Sequence, residues 1–511
     1  MTPQLPGWLA SLAVLIFLAL LIRLWWSPRT QSPWLAAALL ILFNLVGFHW
    51  IFTSLHVYGL MAAPIAATAT LLLALYVSLF TLAAGWFIRR HKLRPLAVAC
   101  VITLAELLRG YLFTGFPWLN WGYLQLDSLL AGFAPVFGVY GLVFLAALCA
   151  AWLARLKPGP ALAVLSLHLA GGIGLSIEWT RPLGEPLRVA LIQPSIDQRM
   201  KFDPAHAKAT ERSLLELLAV ATPASAGKPL AADLVVLPET AFIDTWQRLK
   251  PETQELLQRL VDRSGSAMIT GLPLRDTNGW SNSAIALKPK LQDQNATEPP
   301  PESRAMSSAP VQPQRPSQEA WAYRYDKHHL VPFGEFIPWG FQWFVDLMQV
   351  PLGSFRSGPL AQPAFLIQDQ AIGLNICFED LFGEELIAAL QDSRPASQPP
   401  SIWLNLSNLA WFGDSIALQQ HLNVGRMRSL ETGRPMLRAT NTGLTAIVDA
   451  KGRVQKSLQS QDRDILLGQV QGMTGATPFN RWGNAAVFVL VALATLAAWL
   501  EARRRQRRAE R

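Results

Sequence analysis

Apolar residues form long blocks at both ends of the chain and short, interrupted runs in the middle. Seven blocks are long enough for a spanning helix of about 20 residues: residues 8–26, 34–52, 60–88, 96–112, 129–153, 160–177 and 482–500. The block at 160–177 is the weakest, being rich in Gly and holding His168. From residue 187 the pattern changes. β-type runs at 187–193, 234–237, 267–270, 283–287, 321–325, 371–376, 402–406, 436–440 and 445–448 are interleaved with helical stretches at 204–220, 252–264, up to 390 and at 416–431. This alternation predicts an α/β domain with helices covering a sheet, and the runs 283–287 and 321–325 are expected to pair. The expected organisation is a transmembrane bundle of about six spans over 1–180, an α/β domain over 181–481, and a last transmembrane helix with a basic tail over 482–511. Residues 292–318 are dense in Pro, Ser, Gln and Glu, which predicts a disordered surface insertion.

The loops between the apolar blocks give an orientation, because Lys and Arg concentrate on the cytoplasmic side. Arg23 and Arg29 lie in the first loop, Arg89, Arg90, Lys92 and Arg94 in the third, and Arg155 and Lys157 in the fifth. The second and fourth loops, 53–59 and 113–128, contain no Lys or Arg. Odd loops are therefore expected inside and even loops outside, with 181–481 outside and the tail Arg503-Arg504-Arg505-Gln506-Arg507-Arg508 inside. The first block has no basic n-region or small-residue cleavage site and reads as a retained span.

Composition agrees with a membrane protein: of 511 residues, 51% are hydrophobic and only 15% charged. The net charge of +9 resides largely in short loops and the tail, so it is not the footprint of a nucleic-acid partner. Cys100 and Cys149 lie inside apolar blocks, and no Cys or Cys/His spacing suggests a metal site. Nothing in the sequence calls for a cofactor.

Two features stand out near the outer side of the bundle. Glu106 and Arg109 are one helical turn apart, where they can pair. Charges at that depth are costly and mark candidate functional positions, the alternative being a helix-end pair that snorkels. The loop Thr114-Gly115-Phe116-Pro117-Trp118-Leu119-Asn120-Trp121-Gly122-Tyr123 is aromatic. It is expected at the outer interface, as an anchor belt or as a lipid-facing floor for a site.

The candidate chemistry centres on Asn375-Ile376-Cys377-Phe378-Glu379-Asp380. A strand that ends in Cys and then turns presents a thiol at an elbow, where the following N–H groups favour thiolate and can hold an oxyanion. A buried structural Cys is the competing reading. Glu239 closes the run Leu237-Pro238-Glu239, and Lys327 follows the run 321–325. Alone, Glu239 reads as a solvated turn and Lys327 as a surface charge. At three strand ends, however, a carboxylate, an amine and a thiol suit acyl transfer, as base, oxyanion stabiliser and nucleophile.

Glu239, Lys327 and Cys377, in this order and spacing, resemble the Glu-Lys-Cys triad of the nitrilase superfamily, from about residue 187 to about residue 470. With a membrane bundle before that domain and one span after it, the chain looks like the bacterial apolipoprotein N-acyltransferases. The motifs that carry this likeness are Leu112-Phe113-Thr114-Gly115-Phe116-Pro117-Trp118, His329-Leu330-Val331-Pro332-Phe333-Gly334-Glu335-Phe336-Ile337-Pro338, Ala410-Trp411-Phe412-Gly413-Asp414-Ser415, Gln420-His421, Arg426-Met427-Arg428-Ser429-Leu430-Glu431 and Gly433-Arg434-Pro435.

The resemblance implies an α-β-β-α sandwich on a helical transmembrane bundle, in the bacterial inner membrane with the catalytic domain periplasmic. It implies a fatty acyl chain moving from a phospholipid, mainly phosphatidylethanolamine, through a thioester on Cys377 to the N-terminal lipidated Cys of an apolipoprotein. Glu335 would position or tune the triad, Glu379 would shape the elbow, and the Phe378 N–H would be a second oxyanion donor. Phe378 stands where Tyr is common in the family. Trp118, Trp411 and Phe412 are expected to face lipid or substrate. Two other readings stay open at this point: a membrane-tethered nitrilase or amidase acting on small amides or nitriles, and a lipid or lipoprotein chaperone with an inactive site.

Overall fold

The computed structural model describes residues 6–201, 205–222, 232–290, 321–340, 354–394 and 397–509. The predicted insertion at 292–318 lies outside the described residues. Each of the seven apolar blocks forms helix: α1 (Gly7–Trp26), α2 (Ser32–Gly47) with α3 (Trp50–Thr53), α4 (Ala63–His91), α5 (Pro95–Tyr111), α6 (Ala134–Leu153), α7 (Pro158–Gly174) and, after the sheets and the short α13 (Pro478–Trp482), α14 (Ala485–Ala509). Four stretches are long and apolar enough to cross a membrane, namely Gly7–Trp26, Ala63–His91, Pro95–Thr114 and Leu129–Leu153. The pair α2 and Trp50–Tyr58, bent by 46°, makes a fifth if taken as one span. By length and composition, four of the seven blocks qualify among the described residues, or five with the bent pair. The 17 residues of α7 reach only about 25 Å, against a hydrocarbon core of about 30 Å. The apolar part of α14 stops at Ala485–Leu500, where Glu501 and Arg503 begin the polar tail.

Helix α6 is apolar all round and almost entirely buried, which makes it the centre of the bundle. Its regularity breaks at Gly138, with φ +64°. A Cβ there would come within 2.4 Å of the Phe479 ring, so both the conformation and the packing require Gly. The break frees the Val139 N–H, which donates to Glu431 Oε1 at 2.5 Å. Burial pushes the Glu431 carboxyl up to about 7, while neighbouring Arg428 pulls it down. Glu431 belongs to α12 (Ile416–Thr432), so this bond fastens the α/β domain to the central membrane helix.

The α/β domain holds two six-stranded sheets. The first runs β13 (Asp464–Val470), β2 (Leu187–Gln193), β3 (Leu234–Val236), β4 (Ala267–Asp276), β5 (Gly279–Leu287), β6 (Tyr323–Asp326). The second runs β12 (Val454–Ser457), β11 (Ala446–Val448), β10 (Met436–Thr440), β9 (Ile402–Ser407), β8 (Gln370–Ile376), β7 (Phe365–Ile367). A small ribbon joins β1 (Thr180–Pro182) to β14 (Met473–Gly475). The central strands β2, β3 and β4 are parallel, as are β8, β9 and β10. The expected pairing of 283–287 with 321–325 is β5 against β6, antiparallel.

The inward faces of the two sheets share one core, in which Val189, Leu234 and Ile269 meet Ile372, Leu374, Leu404 and Leu437. The outer face of the first sheet, with Ile192, Val235 and Met268, is covered by α9 (Ala207–Ala221) and α10 (Pro251–Ser264). The outer face of the second, with Trp403, Met436 and Val448, is covered by α11 (Gly383–Leu390) and α12. Apolar residues on both faces of the central strands read as near-continuous runs, the pattern of sheets covered on both sides. The result is the expected α-β-β-α sandwich beside a helical membrane bundle.

Candidate active site

The carboxyl ends of β3, β6 and β8 deliver Glu239, Lys327 and Cys377 to one edge of the sandwich. Glu239 is fixed from two sides: the Asn408 N–H donates to Oε2 at 2.9 Å and Asn282 Nδ2 donates to Oε1 at 2.8 Å. Lys327 continues the β5–β6 pairing, its N–H donating to the Asn282 carbonyl at 2.8 Å. Its Nζ lies 3.0 Å from Glu335 Oε1 and 3.7 Å from Glu239 Oε1. Asn282 Nδ2 also donates to Glu335 Oε1 at 2.5 Å. Lys327 and Asn282 together therefore bridge two buried carboxylates. Burial alone would lower the Lys327 pKa, but Glu335 and Glu239 outweigh it and hold the ammonium above its usual value. Glu335 reaches this position through a tight turn, its Oε2 accepting the Val331 N–H at 2.8 Å.

Cys377 adopts φ +54°, a left-handed conformation that costs a non-Gly residue energy and is held only where surroundings dictate it. The 3₁₀ turn Cys377–Leu381 follows directly. Cys377 keeps some solvent access, yet the protein packed around the sulfur desolvates it. Burial pushes the thiol pKa up, Glu239 adds to this, and Lys327 only partly opposes it. Against the expectation that the elbow favours thiolate, burial and Glu239 together favour the neutral thiol.

This geometry sits in a chain with clear relatives. Residues 2–152 match the apolipoprotein N-acyltransferase N-terminal domain, and residues 188–479 match the carbon-nitrogen hydrolase domain. An apolipoprotein N-acyltransferase of Ralstonia nicotianae is 42% identical over 508 residues, covering 96% of this chain and 89% of that one. One from Nitrosomonas europaea is 38% identical, covering 95% and 92%. The chain belongs to the apolipoprotein N-acyltransferase family. It is a membrane protein and an enzyme, an acyltransferase built on a carbon-nitrogen hydrolase domain. Among solved structures, XC1258 of Xanthomonas campestris, a CN-hydrolase superfamily protein, is a distant likeness at 17% identity and TM-score 0.37, covering 56% of this chain and 91% of that one.

In this family member Glu379 binds the elbow to the loop that carries Lys327. Its Oε2 accepts the Ile376 N–H at 2.6 Å, and its Oε1 accepts the His328 N–H at 2.7 Å and the His329 N–H at 3.2 Å. The Tyr325 hydroxyl donates to the same carboxylate at 3.0 Å. Burial pushes the Glu379 carboxyl up to about 7, against Lys327 and the three N–H donors, which pull it down. The unfolded value is about 4.3, so between these pH values the folded protein holds a proton that the unfolded chain has released. The stabilisation is full below the unfolded value and is lost as pH rises through about 7. Glu379→Gln cannot titrate, so the difference in melting temperature between parent and variant should change between about pH 4.5 and 7.5. A pH-independent difference would contradict this assignment.

The other predicted residues are placed less as expected. Trp118 does not face lipid: it is buried, and its indole N–H, which needs a partner away from water, donates to Gln420 Oε1 at 2.8 Å. Its ring stacks on His421 at 5.7 Å. Phe412 packs inward against Trp50 at 4.4 Å and Trp118 at 6.1 Å. Trp411 is 38% exposed and lies edge-on to Tyr58. The Phe378 ring stacks on Phe116 at 6.3 Å.

Several groups at the site carried no assigned role in the sequence reading. Asn282 and Asn408 hold Glu239. Lys201, on α8 (Gln198–Lys201), is fully buried, and burial pulls it to about 8 while Glu239 opposes this. His421 and Arg438 lie behind the elbow. His421 falls in the Gln420-His421 motif, while Asn282, Asn408, Lys201 and Arg438 carry no signal of their own in the sequence.

Proposed function

We propose that this protein takes a fatty acyl chain from a phospholipid such as phosphatidylethanolamine, carries it as a thioester on Cys377, and passes it to the α-amino group of the N-terminal diacylglyceryl-cysteine of an apolipoprotein. The observation that carries this reading is the meeting of a Glu-Lys-Cys group with aromatic side chains from the membrane bundle. Phe116 lies against Phe378, and Trp118 lies against His421, which with Asn405 bonds the Cys377 carbonyl. A hydrolase of small polar amides has no need of a wall built from membrane helices. A lipid donor does, because it must enter from the bilayer, and the thioester must be kept from water.

In the first half-reaction Glu239 removes the thiol proton as Sγ attacks the ester carbonyl, and Lys327 balances the charge on the tetrahedral oxygen. The C–O bond breaks, the proton passes from Glu239 to the departing lysophospholipid oxygen, and the acyl chain stays on sulfur. In the second, the acceptor amine attacks the thioester carbonyl and gives a proton to Glu239, the C–S bond breaks, and Glu239 returns that proton to Sγ, restoring the thiol. Glu335 and Asn282 hold Lys327 and Glu239 apart from one another's full attraction and in register.

The arrangement supports three parts: a membrane bundle over 1–180, a catalytic domain over 181–481, and a C-terminal membrane helix and tail over 482–511. The alternation of loop charge supports a periplasmic site on the inner membrane and a cytoplasmic tail. The test is transfer itself. Purified protein in detergent, given phosphatidylethanolamine and a diacylated lipopeptide, should form the N-acyl lipopeptide and lysophospholipid in equal amounts. Ammonia release from small amides, without N-acylation, would replace this reading with an amidase.

A further inference from the structure

Glu106 and Arg109 take no part in the chemistry above, yet both are buried on α5, with exposures of 2% and 1%. A charge pair in a membrane helix is costly, and its neighbours show what it is used for. Arg109 spends its guanidinium in two directions. Nη2 donates to Glu106. Nη1 donates to the carbonyls of Phe116 and Trp118, at 2.7 Å each. The Phe116 N–H returns a bond to the Arg109 carbonyl at 3.0 Å. The chain after α5 turns sharply at Gly115, with φ +85°, and is pinned back onto the helix by these bonds.

The pinned loop touches the nucleophile's surroundings on two sides. Phe116 stacks on Phe378, the residue after Cys377. Trp118 stacks on His421 and bonds Gln420. His421 Nε2 lies 3.2 Å from the Cys377 carbonyl. Its tautomer follows from its other side, where Arg438 faces Nδ1. Arg438 can only donate, so Nδ1 accepts and Nε2–H donates to the Cys377 carbonyl. Arg438 is in turn paired with Asp380 in the turn that Cys377 opens. A continuous run of contacts thus joins a membrane charge pair to the left-handed Cys377.

We propose that Glu106 and Arg109 are a positioning pair that, through the Phe116–Trp118 loop, sets the elbow presenting Cys377. Neither touches the reacting atoms. Glu106 neutralises and orients the guanidinium, and only its planar set of donors can serve Glu106 and two carbonyls together. The inference rests on Cys377 being the acyl carrier.

The test compares the full-length parent with Arg109→Gln, Glu106→Gln and the double variant in detergent. If the pair matters only as a buried charge, the single variants lose stability and the neutral double variant recovers both stability and activity. Positioning predicts that the double variant recovers stability while acylation of Cys377 by phosphatidylethanolamine stays slower by about tenfold or more. Its Cys377 should also react with water-soluble iodoacetamide, read on the Cys377 peptide, at a rate altered by about threefold or more. Should the double variant fail to fold, Arg109→Lys, which keeps the charge pair and loses the fork, carries the same expectations. Parent-like rates in both reactions would overturn the proposal. If the parent itself takes up no acyl chain, the acyl-transfer reading fails and the iodoacetamide rates alone decide: altered rates sustain the positioning role, equal rates end it.

Discussion

Cys377→Ala should abolish acyl transfer, and Cys377→Ser should retain no more than about a thousandth of it. Under the proposed mechanism Cys377 attacks from a thiol, because burial and Glu239 push its pKa up. Transfer to a carboxylate is feasible for a thiol and much harder for a hydroxyl, whose own pKa is far higher. Serine would also form an ester, which is less reactive than a thioester toward an amine. Both substitutions keep the residue's backbone demands, because Ala, Ser and Cys meet the same strain at φ +54°. The melting temperature should therefore stay close to that of the parent, so that lost activity reports on chemistry. Cys100 and Cys149 are buried in the membrane bundle and cannot substitute. Transfer by Cys377→Ala above background would remove Cys377 from the mechanism.

Lys327→Met should have the next largest effect, lowering the rate of Cys377 acylation by about 10²–10³-fold. Its ammonium is the sole cation within 4 Å of both carboxylates among the described residues, at 3.0 Å from Glu335 and 3.7 Å from Glu239. In the proposed mechanism, removing it takes away the charge that stabilises the tetrahedral oxygen. It also leaves the two buried carboxylates of Glu239 and Glu335 with only Asn282 Nδ2 between them. Breaking a buried ion pair by deleting one partner costs about 3–5 kcal/mol, so a lower melting temperature should accompany the loss. Lys327→Arg should not rescue activity, because a planar guanidinium fork does not reproduce a compact ammonium 3.0 Å from Glu335 and 3.7 Å from Glu239. Single-turnover acylation, followed by mass, separates this from acceptor effects. A rate within a few-fold of the parent would deny Lys327 its role.

The parts of this structure that could be read in the sequence are those where one segment carries its own signal. β2 is a continuous apolar run and lies where expected, at Leu187–Gln193. The elbow could be located because a strand, a Cys and a carboxylate lie within a few residues. β13 was not foreseen, because it is an edge strand with exposed positions and a Gly, and becomes a strand only by pairing with β2. The same holds within the site. Asn282 is one polar residue on a strand, and its bridging of Glu239 and Glu335 exists only once β5 and β6 pair. Trp118 was expected at the lipid interface because aromatic loops often lie there, but the α/β domain covers it and supplies Gln420 for its N–H. Loop length and charge cannot reveal such docking, because the partner is some 300 residues away in the chain.

Intact mass of the purified protein after exposure to phosphatidylethanolamine, without acceptor, tests the thioester directly. One fatty-acyl adduct should appear, map to Cys377, be released by hydroxylamine at neutral pH, and disappear when the diacylated lipopeptide is added. No adduct under conditions in which the lipopeptide is still N-acylated, or an adduct on any other residue, would contradict transfer through Cys377.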